Sequence, residues 1–179
     1  VYLPVVLLTF SRTQRIINAN YVRKGVTAME NVTHIQTSIT LHTPNGDVPT
    51  LLDMTHAEEA DTLQLHLRYE GTSYQTSAVS AGRIEHAFAA LQRLLPADVY
   101  LQCCLTCQHG NFCPVGSDFN EIFCTKDLKI SKKADLFFPT EDADERSRRQ
   151  RAYCDCCPSF APQVPDVFTY NDYLNALHP

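Results

Sequence analysis

From Val32 to Thr43 polar and apolar residues alternate, placing Ile35, Ile39 and Leu41 on one face of an extended chain. Pro44-Asn45-Gly46-Asp47 follows, and an Asn-Gly pair, tolerant of positive φ, marks a tight hairpin with residues 48–52 as the returning strand. From Thr62 to Tyr69 the alternation is cleaner: Leu63, Leu65, Leu67 and Tyr69 point one way, Gln64, His66 and Arg68 the other. Gly71 and Thr72 then turn the chain into a further strand over 73–79. There the period changes. Ile84, Phe88, Leu91 and Leu95 recur at helical spacing, with Ala87 and Leu94 on the same face. This predicts an amphipathic helix over 81–95, with Ser80 as its N-cap and Pro96 as its stop. Residues 99–103 read as one more short strand.

The expected fold is α+β: an antiparallel β-sheet packed by one amphipathic helix, followed by a cysteine-rich, zinc-binding C-terminal segment. After Cys103 the apolar period fades, and Gly, Pro, Asp and Cys take over. Residues 141–151 carry acids early and arginines late, as suits a helix dipole; their balanced charge predicts a solvated helix, not a nucleic-acid stripe. Residues 171–177 predict a last short helix, capped by Asn171 or Asp172. Three units follow: 1–28 as an N-terminal extension, 29–103 as sheet plus helix, and 104–179 as the cysteine-rich segment. The chain begins with Val and its first Met is Met29, so 1–28 reads either as an extension ahead of a start at Met29 or as an edge strand at 2–10.

Composition narrows the function classes. With 179 residues, 44% hydrophobic and 20% charged, the chain is long enough to bury a core. A net charge of −5 argues against a broad electrostatic grip on nucleic acid. No apolar run nears the ~20 residues of a membrane helix. The apolar opening residues lack a basic start and a small-residue cleavage site, and Asn31-Val32-Thr33 matters as a glycosylation acceptor only after export. These features predict a cytoplasmic protein, where thiols stay reduced and clustered cysteines more often bind metal than each other.

All eight cysteines lie between Cys103 and Cys157. Cys104-Leu105-Thr106-Cys107 has the Cys-x2-Cys spacing that points two thiolates at one ion, and Gln108-His109-Gly110 follows as a turn. Cys124 ends the apolar pair Ile122-Phe123. Cys157 precedes Pro158, whose fixed φ suits a rigid turn beside a metal. Two clusters separated by ~30–50 residues match the halves of a zinc ribbon or treble-clef-like site. Cys103 continues the strand alternation and reads as a core thiol. Cys113, Cys154 and Cys156 are surplus to one four-thiolate site and are candidates for a second. An iron–sulfur cluster is the alternative cofactor.

In order, the sheet, the helix, Cys104-x2-Cys107, Cys124-x-Lys126, Ser131-Lys132-Lys133-Ala134-Asp135-Leu136-Phe137 and Cys157-Pro158-x-Phe160 resemble a family of small uncharacterised bacterial proteins. The resemblance spans roughly residues 30–165 and implies Cys104, Cys107, Cys124 and Cys157 as a quartet. It brings no activity. The extra Cys113, Cys154 and Cys156 depart from the pattern.

Two enzyme readings compete. His56-Ala57-Glu58 with a later Cys-x2-Cys resembles the signature of zinc deaminases, but Cys103 stands where that signature needs Pro. His56 and Glu58 read instead as the start of a helix after Thr55. A thiol redox role needs Cys-x2-Cys at a helix N-terminus, and no amphipathic helix follows Cys107. The expected function is therefore a non-enzymatic zinc-binding protein that serves as a protein-interaction or accessory module, with no catalytic residues. Its partner is another protein, not a membrane or a nucleic acid. The alternatives are a zinc-dependent hydrolase or deaminase-like enzyme, or a thiol redox protein.

Overall fold

The structure, a computed structural model, describes residues 15–17, 31–114, 122–137 and 142–178. The edge strand expected at 2–10 lies outside the described residues. A seven-stranded antiparallel sheet runs in the order β1 (Arg15–Ile17), β2 (Val32–Thr43), β3 (Gly46–Ala57), β4 (Thr62–Tyr69), β5 (Thr72–Gln75). β6 (Val79–Ser80) also pairs with β4, and β7 (Tyr100–Gln102) with β2. Helix α1 (Ile84–Leu94) covers one face. A smaller sheet, in the order β10-β9-β8, joins β8 (Gly110–Asn111), β9 (Ile122–Cys124) and β10 (Gln150–Arg151). Helices α2 (Ala143–Arg149) and α3 (Tyr173–Leu177) complete the α+β arrangement.

β2 and β4 have the bounds that alternation predicts, because each has one buried and one solvated face. The turns differ. In the first hairpin Pro44 and Asn45 form the corner and Gly46 alone takes a left-handed φ of +112°, so the return strand starts at Gly46. That strand runs on to Ala57, well past Leu52, since β4 supplies partners up to Ala57↔Thr62. His56 is thus a strand residue opposite Leu63 and begins no helix. The second hairpin turns on Glu70 and Gly71, not Gly71 and Thr72. Both have positive φ, at 48° and 77°, which matches the strand twist. The strand expected over 73–79 is divided into β5 and β6.

Helix α1 starts at Ile84, three residues later than expected, with Arg83 at the N-cap position and no side-chain cap. Ser80 cannot serve because it is already paired with Thr62 in the sheet. At the other end Leu95 turns extended ahead of Pro96 and carries its side chain into the core, which leaves Leu94 47% exposed. Gln92 joins the helix to β7: its amide donates to the Val99 carbonyl at 2.8 Å and accepts from the Leu101 amide at 2.8 Å.

Ile84, Phe88 and Leu91 bury against Leu63, Leu65 and Leu67 as the pattern predicts. The same cluster contains Leu105, Ile122, Tyr153, Cys154 and Tyr173. The core therefore runs unbroken across the 103/104 boundary, and α3 packs on α1, where the Arg93 guanidinium donates to the Ala176 carbonyl. Phe88 is fully buried at its centre. Phe88→Ala should cost about 3–5 kcal/mol, read as a lowered midpoint in denaturant titration.

Candidate metal centre

The strand β7 delivers the chain into Cys103, whose side chain is completely buried and whose thiol burial pushes up to about 11. A tight 3-10 turn, Cys104–Thr106, follows. The Thr106 hydroxyl fixes its entry, donating to the Leu101 carbonyl at 2.7 Å and accepting the Cys103 amide at 3.3 Å. The Cys107 amide then reaches back to the Cys104 carbonyl at 3.4 Å, and the Gly110 amide to the Cys107 carbonyl at 2.9 Å. The turn folds so tightly that Gly110 lies on it. A Cβ at Gly110 would stand 1.9 Å from the Cys104 carbonyl oxygen and 3.3 Å from that of Cys107.

Gly110 pairs directly with Cys124 across β8 and β9, which brings the second cysteine-bearing segment to the turn. The third comes from the C-terminal side. The Cys104 amide donates to the Asp155 carbonyl at 2.6 Å, the Leu105 amide to Tyr153 at 3.1 Å and the Gln108 amide to Ala161 at 2.8 Å. Cys157 opens its own turn, closed by the Phe160 amide on the Cys157 carbonyl at 3.0 Å.

Cys104, Cys107, Cys124 and Cys157 consequently line one cavity of about 10 Å³, with room for about one water-sized particle. His109, Gly110, Ile122, Lys126 and Ser159 complete its wall. The four thiols surround this space without closing on a common centre. Among the described residues no group of three or more His, Cys, Asp or Glu side chains is arranged to hold an ion as it stands. Each sulfur hangs on one rotatable bond, so turning χ1 moves it without moving the backbone. Burial holds the Cys104 thiol far above its ordinary value, with Cys103, Asp155, Cys107 and Cys124 adding repulsion. Burial also raises Cys107, against the pull of the Ala161 and His109 amides, which donate to its sulfur.

The surplus cysteines go elsewhere. Cys154 joins the core, Cys113 lines a separate cleft, and Cys156 is exposed, with the Gln102 side-chain amide 3.5 Å from its sulfur. Sequence reasoning treated His109 and Gly110 only as turn residues, although Gly110 lies three residues past Cys107 and marks the close approach. It also gave no sign of the polar tail contacts. Asn171 donates to the Gly110 carbonyl at 2.6 Å, and Gln163 to the Leu105 carbonyl at 3.1 Å.

The charged helix forms as expected, acids early and arginines late, and departs from a solvated helix at Arg149. Asp142 caps α2, accepting the Glu145 amide at 2.9 Å. Arg149, at 4% exposure, is a strut and not a solvated residue. Its guanidinium binds Asp127, Glu145 and, at 3.2 Å, the carbonyl of Cys124. This guanidinium pulls the Asp127 carboxyl from 3.8 down to about 2. A lowered carboxylate pKa stabilises the fold at neutral pH and loses that effect as pH falls through the lowered value. Arg149→Met should cost about 2–3 kcal/mol near neutrality, below the full penalty of a broken buried pair because the partner carboxylates are half-exposed. The melting-temperature gap between Arg149→Met and the parent should narrow between pH 4 and 2.

Comparison with family models, curated proteins and solved structures finds no match for this chain.

Proposed function

We propose that this protein binds one zinc ion through Cys104, Cys107, Cys124 and Cys157, and that the closed thiolate site is structural. The observation that carries this reading is the shared cavity: four cysteines from three chain positions face one space of about 10 Å³. The donors fit the ion. Zinc takes four thiolates tetrahedrally, and sulfurs that accept backbone amides, as Cys107 does from His109 and Ala161, are suited to hold a metal. Four thiolates on Zn²⁺ leave two net negative charges, and the Lys126 ammonium in the same wall offsets part of them.

With its ligands saturated by protein, such an ion has no open position for substrate. The ion ties the 150–160 segment to the sheet–helix platform, and the protein works as an interaction or accessory module for another protein, in the cytoplasm where thiols stay reduced. No helix among the described residues is long and apolar enough to cross a membrane. The deaminase alternative is weakened because His56 is not among the residues of the cavity wall and sits on β3, 3.9 Å from Asp61. The redox alternative is weakened because the three-residue Cys104–Thr106 turn runs into β8 and supplies no helix N-terminus to activate a thiol.

Metal analysis of protein purified under reducing conditions tests the proposal. One zinc per chain is expected, falling to near zero in Cys104→Ser and Cys124→Ser and unchanged in Cys156→Ser. A metal-free parent, full retention in the two ligand variants, or charge-transfer absorbance from iron would overturn it.

A further inference from the structure

A second cavity, of about 890 Å³, opens between the start of α1 and the 163–178 segment. Its size lies in the range of small-molecule sites. Four aromatic residues, Phe112, Tyr153, Phe168 and Tyr170, and two carboxylates, Glu85 and Asp172, contribute to its wall. Among the described lining residues there is no Lys or Arg.

Glu85 is the unusual member. It carries a carboxyl group, yet it is only 6% exposed, and it lines the cleft. Its carboxylate accepts its own backbone amide, and the His86 Nε2 lies 3.9 Å away, beyond hydrogen-bond distance. Arg83 acts on it only as a distant charge, while Asp172 repels it. Burial, the largest influence, raises its pKa. A buried carboxylate repelled by a second carboxylate in the wall of the same cavity is costly, and a cation bound beside both offsets that cost. Aromatic faces add attraction for the same charge. Tyr170 already shows this chemistry within the chain, since the Lys133 ammonium stands 4.8 Å from its ring centroid.

The geometry points to a binding site for a small organic cation, an alkylammonium or alkylguanidinium whose charged head meets Glu85 and Asp172 and whose apolar stem lies against the aromatic wall. The site is independent of the metal, since neither Glu85 nor Asp172 lines the four-cysteine cavity.

Isothermal titration calorimetry on the intact protein tests it with three probes: cadaverine for a free amine, Nα-acetyl-lysine amide for a protein side chain, and pentanoate as the anionic control. At least one cation should bind while pentanoate does not, and the tighter of the two identifies the source. Glu85→Gln, nearly isosteric, should weaken cation binding about tenfold or more without lowering the melting temperature. Asp172→Asn, at the rim, should weaken it about two- to threefold. No cation binding to the parent overturns the proposal. So does pentanoate binding as tightly as cadaverine. Should Glu85→Gln lose its fold, Asp172→Asn decides, and unchanged affinity in that variant overturns the site.

Discussion

Gly110→Ala should destabilise the protein by about 3 kcal/mol or more, at the upper end of overpacking costs, although the change adds one methyl group. The obstacle is backbone, not a flexible side chain. The new Cβ would sit 1.9 Å from the Cys104 carbonyl oxygen and 3.0 Å from its carbonyl carbon. Relief requires the Cys104–Thr106 turn and β8 to part. That movement strains the pairing of Gly110 with Cys124 and the Asn171 amide that reaches the Gly110 carbonyl at 2.6 Å. Stability and the cysteine cavity should therefore fail together, seen as a lower denaturation midpoint and faster reaction of Cys104 and Cys124 with a thiol reagent. By contrast, Gly82→Ala has only the Ser80 hydroxyl, at 3.9 Å, near its new methyl group and should be close to neutral. Equal midpoints for the two variants would show that Gly110 is not pinned by close approach.

The contrast between those two glycines shows where sequence reading succeeds and where it stops. β2 and β4 were legible because a sheet with one buried face imposes a strict period of two. The inward face of α1 was legible for the matching reason at period 3.6. Element ends were not, because they depend on competition between partners: Ser80 has the chemistry of an N-cap but is taken by Thr62 in the sheet. Cys104, Cys107, Cys124 and Cys157, which line one cavity, were the quartet implied by the family resemblance, whereas spacing alone left Cys113, Cys154 and Cys156 open as ligands. The tail was legible as a short helix near its end, α3, but its polar contacts were silent. Asn111, Gln163 and Asn171 are buried and hold the turn through side-chain amides, yet a buried Asn carries no periodic signal in a sequence.

Removing one thiol ligand, or stripping the proposed zinc with a chelator, should have the largest effect of all. Structural zinc contributes on the order of 10 kcal/mol to the folding of small domains at neutral pH, comparable to a whole domain's net stability. A chain of clean modular design would confine the damage to residues 104–178. The continuous core argues otherwise. Leu105, Tyr153, Cys154 and Tyr173 bury against the same cluster as Phe88, and α3 rests on α1. Loss of the site should thus release the 104–114 turn and the 150–178 segment first, and uncover the α1 surface that Tyr173 covers. The β2–β3–β4 meander, with its long cross-strand ladders, should be the last part to open. Hydrogen exchange read by segment on Cys124→Ser gives the order: fastest exchange at 104–114 and 150–178, intermediate in α1, slowest in β2 to β4. Cys103→Ser supplies the counterpart, since burying a hydroxyl in that core should lower stability while leaving metal content intact. Uniform exchange across the chain in Cys124→Ser would mean that the meander has no stability of its own. Unchanged exchange at 104–114 would mean that the cysteine cavity holds nothing together.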